Sequence, residues 1–260
     1  MKEYVLITGA SSGIGYELAK EFASNGYSLI VVARREEQLV QLKKQLETEN
    51  IEVHVIVEDL SEKLAPYRLF KKVTALEGRV RILINNAGAG YVGEFLEQSE
   101  EKERELLELN IVSLTQITKL FAREMKKQGG GKILNVASTG AYHPGAYIAS
   151  YYAAKAYVLS FTEALQMELA PYHIEVAALC PGATKTEFAR RAGRQDAGIA
   201  MSAEEVAKKA YRGLVRGKKV IFPSVIQRLF VCIPRRWAKK LVANYQRKLM
   251  IEESKHKVCK

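Results

Sequence analysis

Short apolar runs alternate along the chain with stretches in which apolar residues recur every three or four positions. The runs are EYVLIT (3–8), SLIVVA (28–33), IEVHVIV (51–57), RILINNAG (81–88), KILNVAS (132–138) and IEVAALCPG (174–182). Helical patterns follow near 13–25, 36–49 and 61–76, through a long region ending about 127, and over 151–170. The runs are continuous and rich in Val, Ile and Leu, which suits strands buried on both faces. Their alternation with helices predicts an α/β fold, a parallel sheet with right-handed crossovers and helices on both sides. KKVIFP (218–223) predicts one more strand. SVIQRLFVCIPRRWAKKLVANYQRKLM (224–250) reads as helical with a break at Pro234, and the last nine residues read as a frayed end. Neither a Pro/Ser linker nor a fixed-period repeat divides the chain. The expected organisation is one unit over 1–222 and a helical extension over 223–260.

Composition narrows the classes. Apolar residues make up 48% of the 260, enough for a large core and too many for a disordered chain. The longest apolar runs are too short to span a bilayer, and the first strand starts without a signal-peptide pattern. Cys180, Cys232 and Cys259 form no C-x-x-C pair, and the four histidines have no ligand-like spacing, so neither a disulfide framework nor a metal site is expected. A cytoplasmic location follows as an expectation. The net charge of +11 is unevenly placed: 205–260 holds 16 Lys/Arg against 3 Asp/Glu, and the rest is slightly acidic. The excess belongs to the C-terminal part and does not imply a nucleic-acid partner.

Candidate chemistry begins at TGASSGIG (8–15), between the first strand and the first helix. Gly9, Gly13 and Gly15 permit a tight turn and close backbone approach, while Ser11, Ser12 and Ile14 border it. The N–H groups and dipole of the following helix favour a phosphate there. After the second strand, where NAD-binding folds place an acidic residue on the ribose, stand Arg34 and Arg35. Two cations before a helix N-terminus face the wrong end of its dipole unless an anion accompanies them. A 2′-phosphate is such an anion, and Glu36 and Glu37 are the alternative partners. NADP(H) is favoured over NAD(H).

TGASSGIG, NNAG (85–88), Asn110, Ser138, Tyr-x-x-x-Lys at 151–155 and PGATKTEF (181–188) occur in this order. The chain resembles the short-chain dehydrogenase/reductase family over about residues 3 to 222. The resemblance implies a Rossmann-type, doubly wound sheet of seven mainly parallel strands. It also implies a nicotinamide cofactor, and hydride transfer between a carbonyl and an alcohol. It makes Tyr151, four residues before Lys155, the proton donor. Helix geometry agrees, because i and i+4 share a face, whereas Tyr152 points about 100° away and reads as pocket wall. A phenol of pKa about 10 needs about 4 kcal/mol of differential stabilisation to work near neutrality, and a fixed ammonium at Lys155 pushes that way. By the same resemblance Ser138 bonds the substrate oxygen, and Asn110 interrupts its helix and holds a water near Lys155. Asp59 and Leu60 meet the adenine, while Asn85, Asn86, Ala87 and Gly88 pass beneath the adenosine ribose and support the neighbouring strand. Pro181, Gly182, Thr184 and Thr186 frame the nicotinamide. Cys180 reads as a small core residue. Tyr142, His143 and Tyr147 read as pocket wall.

The substrate is expected to be a small carbonyl or alcohol compound. A 3-oxoacyl thioester on an acidic carrier is the alternative enzyme reading. A non-catalytic NADP(H)-sensing protein is the reading from another class, which the four residues Asn110, Ser138, Tyr151 and Lys155 disfavour. Residues 186–201, with Arg190, Arg191 and Arg194, are expected to form a flap over the substrate. A homodimer or homotetramer is expected. The C-terminal segment mixes Leu229, Phe230, Val231, Trp237, Leu241 and Leu249 with many cations. Its apolar side either packs on the domain or on a second subunit, with the cations facing water, or rests on an anionic membrane surface.

Overall fold

The computed structural model describes residues 2–188 and 200–258. Seven strands form one sheet: β1 (Glu3–Thr8), β2 (Ser28–Ala33), β3 (Val53–Val57), β4 (Arg79–Asn85), β5 (Gly131–Val136), β6 (Ile174–Leu179) and, late in the chain, β9 (Val220–Ile221). Their order is β3-β2-β1-β4-β5-β6-β9, and every pairing is parallel. Two short strands, β7 (Thr184–Lys185) and β8 (Met201–Ser202), pair with each other outside it.

The period of two along each strand sorts side chains into two cores. Val5, Ile7, Leu29 and Val31 face one side, where α1 (Gly13–Ser24), α2 (Glu36–Leu46) and α7 (Ala203–Val215) cover them. Tyr4, Leu6, Ile30 and Val32 face the other, under α3 (Ala65–Thr74), α5 (Leu114–Lys127) and α6 (Ala149–Glu168). The third helix starts later than its apolar pattern suggests. Asp59 Oδ1 accepts from Ser61 N and Oγ (2.9 and 2.6 Å), a local turn that competes with helix, and Pro66 then sits in the first turn of α3.

Between α4 (Glu100–Leu107) and α5 the chain makes a π-helical turn, Glu108–Ser113. The predicted break at Pro234 separates α8 (Val225–Phe230) from α9 (Arg235–Val258). That last helix continues to Val258, into the segment expected to fray. The apolar residues of α8 and α9 divide between packed and exposed positions. Phe230 packs on His143, and Ala238 and Val242 are buried, whereas Leu229, Trp237 and Leu241 remain exposed.

A buried polar chain fixes the second core. Asn85 Nδ2 donates to Thr118 Oγ1 and to Asn135 Oδ1 (2.9 Å each), and Asn135 Nδ2 donates to Thr162 Oγ1 (3.0 Å). It joins α5, β4, β5 and α6. Beside it Phe121 is fully enclosed, its ring edge-on to Phe70 at 5.3 Å. Phe121→Ala should cost about 3–5 kcal/mol, read as a lowered urea midpoint with an unchanged slope; a cost under about 1 kcal/mol would contradict this packing.

Candidate active site

The strand order reverses between β1 and β4, and a cleft of about 530 Å³ opens there along the carboxyl ends of the strands. At one end lies the glycine-rich turn. Gly9 has φ +69°, and a Cβ on it would stand 2.8 Å from Asn86 Nδ2. Asn86 Nδ2 donates to Thr8 O and Gly9 O (2.9 and 3.2 Å), and the N–H groups of Asn86 and Ala87 both donate to Thr8 Oγ1 (3.0 and 3.1 Å). The turn is thereby locked to the strand beside it. The Ser12 hydroxyl caps no N–H of α1, and the first turn of α1 has no acidic residue. Both leave that helix end suited to an anion. This cradle fits the diphosphate of a dinucleotide.

Arg34 and Arg35 both line the cleft. Their partners are not Glu36 and Glu37. Arg34 Nη1 reaches Asp59 Oδ2 and Glu105 Oε1 (3.2 Å each), and Arg35 reaches Ser11 Oγ, Ser11 O and, at 2.9 Å, Glu187 Oε2. Burial works against the Arg34 charge, but Asp59 and Glu105 outweigh it and hold its pKa above the ordinary value. Asp59 is held below the carboxylate range, where Ser61 and Arg34 outweigh burial. Glu58, also on the cleft wall, is buried. Arg68 and Lys72 hold it ionised (2.7 and 2.8 Å) and keep its pKa low despite burial.

At the other end the first two turns of α6 place Tyr151, Tyr152 and Lys155. Lys155 is buried and donates to Val136 O at 2.7 Å; desolvation pulls its pKa down to about 8. Its Nζ lies 5.7 Å from the Tyr151 ring centroid. Tyr151 packs against Phe188, with ring centroids 5.5 Å apart. Ser138 lies on the same wall; its Oγ accepts from Gly140 N (3.0 Å) and donates to Pro181 O (3.4 Å). It is thus also the cap of a short 3₁₀ turn. Tyr152 lays its ring on Gly140 and Gly145, and its hydroxyl accepts from Gln246 Nε2 of α9 at 3.5 Å. Asn110 interrupts its helix, since it sits within the π-helical turn, and its carboxamide pairs with both backbone groups of Ala89 (2.7 and 3.0 Å). Gly88 lies where these parts converge: a Cβ there would stand 2.8 Å from Asn110 Oδ1 and 3.5 Å from Lys155 Nζ.

The cleft collects Gly9, Ser11, Ser12, Gly13, Ile14, Asp59, Leu60 and Asn86 to Gly88, and also Pro181, Gly182, Thr184 and Thr186. It does not collect Gly15, Asn85 or Asn110. Gly15 packs on the Gly9 carbonyl, Asn85 turns into the polar chain between strands, and Asn110 stands behind the wall as a support. Tyr142, His143 and Tyr147 do not line the cleft either. Tyr142 packs on Phe222, His143 is buried against Phe230, and Tyr147 borders a separate small cavity. Cys180 is a core residue, its thiol pushed up to about 12 by burial. Residues 189–199, which carry Arg190, Arg191 and Arg194, lie outside the described residues, but β7 and β8 pair immediately around that segment. Sequence reasoning missed Glu58, Tyr91, Phe188 and Tyr245 as lining residues. PGATKTEF already ended in Phe188, but nothing local marked Tyr245, which arrives from α9.

The model for the family described as short chain dehydrogenase matches residues 3–197. Dehydrogenase/reductase SDR family member 4 of Sus scrofa is 33% identical over 186 residues, 71% of this chain and 67% of the relative. A short-chain dehydrogenase from Sphingobium yanoikuyae, solved in complex with NADPH, superposes with a TM-score of 0.81 at 33% identity, over 89% of this chain and 96% of that one. The bulky-bulky ketone specific alcohol dehydrogenase from Comamonas testosteroni superposes at 0.77 with 30% identity, over 96% of this chain and 94% of that one. The crevice at the strand reversal, the glycine cradle and these matches agree: the chain belongs to the short-chain dehydrogenase/reductase family and is a nicotinamide-dependent oxidoreductase acting on CH–OH groups.

Proposed function

We propose that the protein is an NADPH-dependent carbonyl reductase acting on ketones or aldehydes with bulky apolar substituents. The observation that carries this reading is the grouping of Tyr151, Lys155 and Ser138 at one end of a cleft whose other end holds the phosphate cradle and two arginines. The aromatic walls, Tyr91, Tyr152, Phe188 and Tyr245, suit large apolar groups on the substrate. The Comamonas enzyme, by its description, takes ketones bulky on both sides.

Bound reduced nicotinamide supplies the hydride to the carbonyl carbon. Tyr151 gives its phenolic proton to the carbonyl oxygen as the alcohol forms. The Lys155 ammonium, fixed on Val136 O, stabilises the resulting phenolate; in this buried setting a unit charge acts strongly. Ser138 orients the substrate oxygen. Asn110 holds the loop after β4 in place through Ala89, beside Lys155. Arg34 and Arg35 are the residues that would hold a 2′-phosphate, giving up part of their carboxylate contacts to do so.

Tyr151→Phe should lower turnover by about 10²–10⁴-fold with NADPH binding nearly intact, while Tyr152→Phe stays within about tenfold. An inactive Tyr152→Phe beside an active Tyr151→Phe would reverse the assignment. Carbonyl compounds, 3-oxoacyl thioesters included, followed by NADPH absorbance define the substrate class.

Charge-assisted bonds to phosphate contribute about 1.5–3 kcal/mol each. Calorimetry should therefore show NADPH bound at least about tenfold more tightly than NADH, the gap narrowing in Arg34→Ala and Arg35→Ala. Equal affinities would remove the 2′-phosphate from the reading.

Lys155 is cationic below about pH 8 and neutral above it. For reduction, kcat/KM should then fall as pH rises through 8, and Lys155→Arg, which stays charged, should move that fall upward. A profile unchanged by Lys155→Arg would separate the limb from this ammonium.

A further inference from the structure

The two helices after the last strand each carry apolar side chains that the molecule leaves uncovered. On α9, Ala238, Val242 and Gln246 recur every four residues and are buried. The row one residue earlier, Trp237, Leu241 and Tyr245, is 59%, 56% and 41% exposed, and on α8 Val225, Ile226 and Leu229 are 72%, 71% and 64% exposed. Six large apolar side chains on two consecutive helices are thus left exposed.

These side chains are set in positive charge. No Asp or Glu occurs from Val206 to Ile251. Arg228, Arg235, Arg236, Lys239 and Lys240 pair with no carboxylate among the described residues. Beside α8 a groove is lined by Lys209, Arg212, Arg216, Lys218 and Arg228.

We propose that α8 and α9 dock the protein on an anionic lipid surface, and that residues 223–260 serve as a docking extension of the catalytic unit 1–222. The apolar row enters the headgroup–acyl boundary, Trp237 lies at headgroup level and the cations meet lipid phosphates. A nucleic acid would use the cations and leave the apolar row wet. A second copy would cover the apolar row but press one cationic surface on another. No described helix is long and apolar enough to cross a bilayer, so the contact is interfacial. Tyr245 belongs both to the exposed row and to the cleft wall, so the cleft opens beside the docking surface. On the carbonyl-reductase reading, on which this last step alone rests, the substrate is a lipophilic ketone or aldehyde that reaches Tyr151 from the bilayer.

Trp237 is the chain's single tryptophan and reports on the surface directly. The full-length protein should sediment with phosphatidylcholine/phosphatidylglycerol vesicles at low salt and much less with phosphatidylcholine alone. Its emission should shift to the blue and be quenched by brominated lipid, and high salt should release it. The triple variant Arg235→Glu/Lys239→Glu/Lys240→Glu should partition at least about 100-fold more weakly, at about 1 kcal/mol per cation, while still binding NADPH. Absence of sedimentation and of a Trp237 shift at low salt would overturn the proposal. So would a dimer in sedimentation velocity that Trp237→Ser/Leu241→Ser dissociates while vesicles bind neither form. Vesicle binding without turnover of any carbonyl compound would uphold the surface and sink the reductase reading instead.

Discussion

All seven strands of the main sheet run the same way, and the site depends on that. Parallel pairing needs a crossover after each strand, so every strand delivers its carboxyl end to one edge. Gly9 follows β1, Arg34 and Arg35 follow β2, and Glu58 and Asp59 follow β3. Asn86 to Gly88 follow β4, Ser138 follows β5, and Pro181 follows β6. Residues far apart in the chain therefore meet along one rim. The reversal between β1 and β4 leaves the crevice that these residues line.

Within that rim the most demanding group is the buried Lys155. An ammonium out of water is costly unless something polar meets it, and here the Val136 carbonyl does. The contact requires α6 to lie at a fixed height over β5. The chain from Thr162 through Asn135 and Asn85 to Thr118 supplies that fixation, tying the helix to two strands and to α5. The polar residues inside the second core thus hold the distance between Lys155 and its partner, and with it the position of Tyr151 on the same helical face. Asn110 completes the support from the opposite side, through Ala89 and the close approach at Gly88.

The sheet was legible because period-two burial and helical spacing are local signals. The glycine turn was legible because backbone conformation selects residue type at positions such as Gly9. Tyr151 and Lys155 share a face by helix geometry alone, and Tyr152 takes the wall position that its angle implies. What sequence position alone did not separate lies where neighbours in sequence part in space. Tyr142 and His143 stand between two site residues, yet the 3₁₀ turn begun at Ser138 turns them toward Phe222 and Phe230. Asn85 and Asn86 are adjacent, but alternation along β4 sends the first inward. Tyr245 was invisible as a site residue, since only tertiary packing carries α9 to the cleft. The arginine partners Asp59, Glu105 and Glu187 are likewise tertiary.

The π-helical turn at Glu108–Ser113 also works as a phase adjuster. An extra residue in one turn rotates everything after it by about 100° relative to what precedes it. Leu106, before the turn, packs with Ile148, Tyr151 and Ala154, whereas Ile117 and Phe121, after it, pack against the sheet. One nearly continuous rod therefore serves two hydrophobic clusters whose directions a regular α-helix could not reconcile. The pivot lies at Asn110. Removing the inserted residue would not shorten the rod so much as twist its halves out of register, so the length of this segment is as constrained as any side chain in it.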